Sequence, residues 1–441
     1  MVRDQPDPDR DPNASVWVAE SAPPAPGPPL EGRLVTDVAI VGGGFTGVST
    51  AWHLRRTNPG LGITLLEAGV LGQGASGRNG GQVLNWINGV EPKSPDELRR
   101  IHGATRAGIE IAEDLATRFA PPGTFRRRGA LEVYTDSRRA EAAAARVEAL
   151  RAADIPAEFL PESRLGIHGA KGAVLDPLAG RLNGFALLQA LRPVLRDAGI
   201  GICEGTRVRR VRTGREIVLQ TARGEVRARA LVLATNGYTP ALGFFRLGLL
   251  PLHSHVLATE PLAEADWAGI GWGAWDGFTD DLDRIAYATR TPGGRLLLGG
   301  GGNPAYSYRL GGAPTATPRA EARATPFMQG VLARYFPGAA NAKIEHRWAG
   351  TLALTLDRIC SMGVRGEHRN VYHALGYSGH GVALALLAGR VLADLYDGNH
   401  EAWREQPFYQ KRLVPFPPEP LRWLGYQVWT HLTGKSPRRR A

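Results

Sequence analysis

The chain has 441 residues, 43% hydrophobic and 22% charged, with a formal net charge of +11. This composition excludes a mostly disordered protein, and the length fits two to three domains. Its two cysteines, Cys203 and Cys360, stand far apart with no CxxC partner, which excludes a disulfide framework or a zinc site and points to a reducing, cytoplasmic setting. No run of about 18 apolar residues occurs, so no segment reads as membrane-spanning. The basic residues are scattered without an aromatic stacking platform, so the positive charge reads as a solvated basic surface and not as a nucleic-acid site.

Residues 1–30 are rich in Asp and Pro and lack the basic start and apolar core of a secretory signal. They are expected to form a mostly disordered arm, with Val16-Trp17-Val18 as a docking point. Residues 36–67 carry the most informative pattern. Asp37-Val38-Ala39-Ile40-Val41 reads as a strand, Gly42-Gly43-Gly44-Phe45-Thr46-Gly47 as a turn opening a helix, and Ile63-Thr64-Leu65-Leu66-Glu67 as a second strand. This is a dinucleotide-binding βαβ unit. Gly42 permits the tight turn, Gly44 lets backbone approach a pyrophosphate, and Gly47 lets the helix pack on the sheet. Free N–H groups at the helix start face the phosphate charge, and Glu67 stands where a carboxylate accepts hydrogen bonds from ribose hydroxyls. With 56 glycines in the chain, about one G-x-G-x-x-G match arises by chance. A second match, at Gly72, Gly74 and Gly77, lies in a loop with no strand leading into it, so strand, helix and acid distinguish the first.

Further along, 72–81 is a glycine-dense loop, 98–119 a helix carrying Ile101, Ile109, Ala112, Leu115 and Phe119, 129–134 a strand by alternation, and 140–153 an Ala-rich helix. These break the opening β-α alternation and imply an inserted domain. The first domain resumes near Asp176, with a helix over 183–198, a strand over 199–204, short strands over 208–212, 217–221 and 225–229, and a fully apolar strand over 230–234 that ends at Thr235-Asn236-Gly237. Residues 251–300 return to strands and turns, clearest at 253–259 and 295–298. A helix over 318–336, a strand over 372–375, a glycine turn over 376–381 and a helix over 382–396 complete the pattern. The tail, 416–441, is amphipathic, aromatic and basic; it either packs on its own protein or lies on an anionic membrane surface, the widest membrane contact expected. The fold class is α/β: a Rossmann-like domain built from 31–120, 170–245 and 346–415, and an α+β substrate domain, 121–169 with 246–345, whose sheet is mainly antiparallel.

The segments 38–47, 65–82, 231–238 (Leu-Val-Leu-Ala-Thr-Asn-Gly-Tyr), 258–262 (Ala-Thr-Glu-Pro-Leu) and 376–382 (Gly-Tyr-Ser-Gly-His-Gly-Val) resemble, in order, those of flavoprotein oxidoreductases related to D-amino-acid oxidase, glycine oxidase and sarcosine oxidase. The resemblance implies FAD as cofactor. Gly42, Gly44, Phe45, Thr46 and Gly47 would hold its pyrophosphate and Glu67 the adenosine ribose. Gly74, Ala75, Ser76, Gly77, Arg78, Asn79, Gly80 and Gly81 would wrap its middle and approach the isoalloxazine. Val208 would meet the adenine, and Ala234, Thr235, Asn236 and Gly237 would support the nucleotide half. Gly376, Ser378, Gly379, His380, Gly381 and Val382 would set a helix N-terminus near the flavin's pyrimidine end, where its dipole stabilises negative charge on the reduced ring. Sarcosine oxidases attach flavin through a Cys matching roughly 350–355; this chain has none there, so non-covalent FAD is expected.

The implied reaction oxidises a C–N bond of an amine or amino acid by hydride transfer to flavin. The imine then hydrolyses, and oxygen, or a quinone, reoxidises the flavin. His253 and His255 share one strand face, so a histidine titrating near neutrality could govern the amine's protonation, or the two form a plain polar pair. Tyr287 and Arg290 lie where relatives often place substrate contacts, with Arg290 a candidate carboxylate clamp. Trp348 is a pocket wall or core filler. His380, Arg78 and Asn79 are set by position close to the flavin, and Asn79 could donate to substrate or flavin. The alternatives are a quinone-linked FAD dehydrogenase of an amino acid or an alcohol resembling glycerol 3-phosphate, and a flavin-binding scaffold without catalysis.

Overall fold

The computed structural model describes residues 14–21, 25–282, 284–312 and 316–434. The first sheet has eight strands. Gly32–Val41 runs parallel to Gly224–Leu233 on one side and to Ile63–Leu66 on the other, and Ile63–Leu66 pairs in parallel with Gly201–Cys203. Val371–Leu375 joins Gly224–Leu233 in parallel, and Ser361–Arg365 closes that edge antiparallel. Val38, Ile40, Ile63 and Leu65 face one core while Ala39, Val41, Leu66 and Leu233 face another. Burial on both faces is why these strands read as unbroken apolar runs.

The two strands expected over 225–229 and 230–234 are a single strand, Gly224–Leu233. Its first half pairs antiparallel with Ile217–Gln220 and its second half parallel with Val371–Leu375, so the change from alternating to continuous apolarity marks a change of neighbour. Over the sheet, helices Phe45–Thr57 and Pro95–Phe119 pack on Val382–Tyr396. That last helix is apolar and buried on every side but one, where Arg390 reaches solvent and Asp394 is half-buried.

The second sheet has nine strands, antiparallel except where Gly277–Asp280 pairs with Ala130–Tyr134. Its long members, Leu250–Pro261 and Ile344–Leu354, pair from Leu250↔Leu354 to Thr259↔Ile344, and helix Pro318–Tyr335 packs into its core through Met328, Val331 and Leu332. Gly172–Asp176 pairs with Ala130–Tyr134 and Glu158–Pro161, and Ile344–Leu354 with Leu250–Pro261, so both strands, expected with the nucleotide domain, belong to this sheet. Strand alternation in the sequence does not say which sheet receives a strand.

The expectation of a disordered arm is corrected over 14–21. Val16–Ala19 is a helical turn in which Val16 and Trp17 are fully buried, because two apolar side chains outweigh the ordering cost of so short a segment. Residues 1–13 and 22–24 of the arm and 435–441 of the tail lie outside the described residues.

Candidate active site

The nucleotide turn is built as its glycines require. Gly42 has φ +111°, and a Cβ there would sit 2.6 Å from the Ala234 carbonyl oxygen; one on Gly47 would meet Gly42 O at 1.9 Å. Strand, turn and helix can therefore touch only without side chains. Glu67 accepts from the Gly43 amide at 2.7 Å and the Gly69 amide at 2.8 Å. Burial pushes its carboxyl above the ordinary range, and these amides oppose that shift.

Helix entries supply the clearest electrostatic signal. The helices opening at Pro95, Ser137, Gly184 and Pro318 are capped by the side chains of Ser94, Asp136, Asn183 and Thr317. Those opening at Phe45 and Val382 are entered from Gly44 and Gly381 with no side-chain cap. A helix start carries N–H groups without intrahelical acceptors, so these two entries, apart from the Phe45 amide that Ser76 Oγ takes, offer donors and a positive dipole end to an anionic ligand.

The glycine segments expected to share a cofactor are brought together. Thr46 Oγ1 and the buried Tyr377 hydroxyl lie 2.7 Å apart, joining the first turn to the last. Phe45 N donates to Ser76 Oγ at 3.0 Å, joining it to the 74–81 loop. Asn236 Oδ1 accepts from Gly376 N at 2.9 Å, and Asn88 Nδ2 donates to Ser378 O at 2.9 Å. The loop's other side meets the second sheet: Trp348 Nε1 donates to Arg78 O at 2.9 Å, Thr289 Oγ1 to Gly80 O at 2.7 Å, and Gln82 Nε2 to Phe278 O and Ala288 O. The second G-x-G-x-x-G match, read as a chance loop, forms a compact turn of its own at Ala75–Gly77. Two surface cavities, of about 370 Å³ beside Glu162 and His168 and about 290 Å³ beside Glu20 and Asn183, touch none of these turns.

Among the expected catalytic side chains, Tyr287 reaches the loop: a Cβ on Gly80 would lie 2.7 Å from its ring. Its hydroxyl is 3.0 Å from Ser254 Oγ, and burial pushes it up to about 12. His255 is fully buried with Nε2 3.1 Å from Ser307 Oγ. Burial, with His253 adding to it, lowers His255 to about 4, so the expectation of a histidine titrating near neutrality is corrected: the ring is neutral at pH 7. His253 Nδ1 lies 3.1 Å from Thr351 Oγ1.

Arg290 does not serve as a free clamp, because its guanidinium pairs with Glu264 and stacks 4.6 Å over Trp267. It stands three residues from Tyr287, on the opposite strand face. Asn79 spends its side chain on its own loop, donating to Ser76 O at 2.8 Å and accepting from Gly81 N at 2.7 Å, which corrects its expected donation to ligand. Trp348 is fully buried behind Arg78 and so supports the loop from beneath. His380 is half-buried, and its backbone N–H donates to Tyr377 O. Val208 is buried in the core beneath the sheet.

Three contributors lie outside the expected catalytic and cofactor residues, the first of them at the docking point expected at Val16-Trp17-Val18. Trp17 Nε1 donates to Asn79 O at 2.7 Å, Ser15 Oγ donates to Gly77 O, and Trp17 packs with Val70, Phe185 and Trp348. The N-terminal turn thus latches the loop from outside; the apolar island at 16–18 was its signal. Tyr377, quoted within the last glycine segment, acquires its role only through Thr46. Glu204, fully buried, accepts from Gly27 N, Leu71 N and Arg192, and nothing local marks it.

A nucleotide sheet with a parallel centre, two glycine-entered helices and a glycine loop shared with a mainly antiparallel sheet fit a FAD-dependent oxidoreductase. Residues 37–395 match the family described as DAO, FAD dependent oxidoreductase, and the chain belongs to that family. It is 30% identical over 421 residues to gamma-glutamylputrescine oxidoreductase of Escherichia coli (strain K12), covering 92% of this chain and 93% of that protein. Glycine oxidase of Geobacillus kaustophilus (strain HTA426) is 26% identical over 396 residues, covering 86% and 97%. The crystal structure of glycine oxidase from Geobacillus kaustophilus superposes with a TM-score of 0.71 at 23% identity, covering 86% of this chain and 100% of that one. These agree with the resemblance read from the motifs: the chain is an enzyme of this family, FAD is its cofactor, and its substrates are of the amine or amino-acid class.

Proposed function

We propose that this chain oxidises the terminal C–N bond of an extended amine, of the kind named for gamma-glutamylputrescine oxidoreductase, using non-covalently held FAD in the cytoplasm, with oxygen as electron acceptor. The observation that carries the reading is the pair of uncapped helix entries, at Gly44 and Gly381, linked through Thr46 and Tyr377. When bound, FAD supplies a ring that accepts a hydride from the carbon bearing the amine. The chain's part is to bind, orient and desolvate. Residues 42–47 and Glu67 would hold the adenosine and pyrophosphate half, 234–237 would support it, and 74–81 would carry the flavin end.

Above that loop, the hydroxyls of Tyr287 and Ser254 form an uncharged pair at pH 7, while His255 lies on the opposite face of the strand, against Ser307. A neutral, desolvated lining favours the unprotonated amine, which is the reactive form. An amine-ended substrate fits better than an α-amino acid because Arg290, the expected carboxylate clamp, is committed to Glu264. Non-covalent attachment is supported by Cys360, whose buried thiol is pushed up to about 12 and is therefore a poor nucleophile. The test is anaerobic bleaching of the bound flavin by a panel of amines and amino acids, followed by a peroxide assay in air. Bleaching by α-amino acids and not by terminal amines would overturn the substrate reading; bleaching without peroxide on readmission of air would overturn the acceptor.

A further inference from the structure

The tail helix, Leu421–Gly434, has two unlike faces. One packs on the second sheet. Arg422 is buried and donates to Leu249 O, Arg246 O and Pro417 O. Trp423 and Tyr426 join a cluster with Leu250, Leu252 and Tyr308, Tyr426 OH donates to Tyr306 O, and Arg284 stacks 4.4 Å over the Trp429 ring. The alternative in which the tail packs on its own protein is therefore met by this face.

Among the described residues nothing covers the other face. Leu421, Leu424, Val428 and Leu432 are 59%, 52%, 51% and 69% exposed. At about 100° per residue they fall within one narrow stripe along the helix. With Trp429 they make five of the ten large apolar side chains exposed among the described residues, gathered on one short helix. Scattered exposed leucines need no explanation; a stripe does.

The charge that follows the stripe has one sign. After the helix the sequence holds Lys435, Arg438, Arg439 and Arg440, with no Asp or Glu from Pro420 to Ala441, whereas Glu419 before the helix is engaged by Tyr308 and the Trp423 amide and Arg422 lies on the packed face. No described helix is long and apolar enough to cross a membrane. From this apolar stripe followed by a cationic run we infer that helix Leu421–Gly434 docks the enzyme in the plane of an anionic phospholipid surface. The stripe would enter the acyl boundary while the basic end meets headgroup phosphates, the division of labour of an interfacial helix. Docking sets the sheet bearing His253 and Ser254 towards the lipid, because Tyr306, which the tail contacts, belongs to the strand paired with both. The inference is independent of which amine is oxidised.

The test is co-sedimentation of the full-length, flavin-loaded protein with phosphatidylcholine vesicles, with and without roughly a third phosphatidylglycerol. Binding to the anionic vesicles is expected to be at least about tenfold tighter and to weaken in high salt. The double variant Leu424→Glu/Val428→Glu, altered only at exposed positions, should lose at least about tenfold in binding while keeping its flavin spectrum and melting temperature. Replacing Arg438, Arg439 and Arg440 by Ser should lower binding to anionic vesicles alone. The inference is overturned if the wild type stays in the supernatant, if the double variant binds as the wild type does, or if light scattering shows a dimer that the double variant splits, since a second copy would then cover the stripe.

Discussion

Replacing Trp17 probes the latch on the 74–81 loop. Trp17→Ala removes a fully buried indole packed on Val70, Phe185 and Trp348 and leaves Asn79 O without its donor. Deleting a buried Trp costs roughly 3–5 kcal/mol, and an orphaned buried carbonyl up to about 3 kcal/mol, the two not being additive. Trp17→Phe keeps most of the packing and gives up the hydrogen bond, about 1 kcal/mol. Where the latch holds the loop in its binding-competent form, apparent FAD affinity falls by the fraction of that form lost, so Trp17→Phe should weaken FAD by roughly fivefold and Trp17→Ala by a hundredfold or more. Flavin fluorescence titration of apoprotein measures this, and urea unfolding of apoprotein separates loop loosening from global loss. If Trp17→Ala binds FAD within about twofold of wild type, the turn at 16–19 is packing alone and the reasoning fails.

Other expectations follow from single contacts. Gly42→Ala forces a Cβ against Ala234 O at φ +111° and should yield colourless protein at a cost of about 1–3 kcal/mol of backbone strain, read by flavin content and melting temperature. Tyr377→Phe leaves buried Thr46 Oγ1 without its hydroxyl partner; a loss of roughly 1–3 kcal/mol in apoprotein unfolding is expected, and an unchanged midpoint would refute the link. His255 falls from 6.5 to about 4 on folding, so the unfolded chain binds the extra proton and stability declines as pH drops from about 6.5 towards 4. Asp176 and Asp280, raised to about 6 by burial, act in the opposite sense over the lower part of that window. His255→Gln should lessen the slope of the melting-temperature curve between pH 6.5 and 5, to which the buried His53, His102 and His373 still contribute, and parallel curves would count against a buried neutral ring. Arg290→Lys should leave substrate KM unchanged, because the guanidinium serves Glu264 and Trp267; a large rise in KM would restore it as a substrate clamp.

What the sequence revealed follows from how local each signal is. The βαβ unit was legible because Gly42, Gly44, Gly47 and Glu67 state their roles within one stretch of chain, and the helix at Val382–Tyr396 because its apolar residues run on past a glycine turn with only Arg390 and Asp394 between them. Sheet membership of Gly172–Asp176 and Ile344–Leu354 was not, since pairing partners lie far away in sequence. The side chains of Arg290 and Asn79 show a related limit: residue type names what a group can bind, and in the structure Glu264 and Ser76 O are the partners they take. Trp17 and Glu204 exert their effect through backbone atoms of distant loops, which no motif records.

The order in which the nucleotide sheet acquires its members has a consequence for biosynthesis. Gly32–Val41 and Ile63–Leu66 leave the ribosome long before Val371–Leu375 and the helix Val382–Tyr396 that roofs the layer. Coenzyme capture therefore waits for these far later segments, and nascent chains stalled before residue 376 should carry no yellow chromophore.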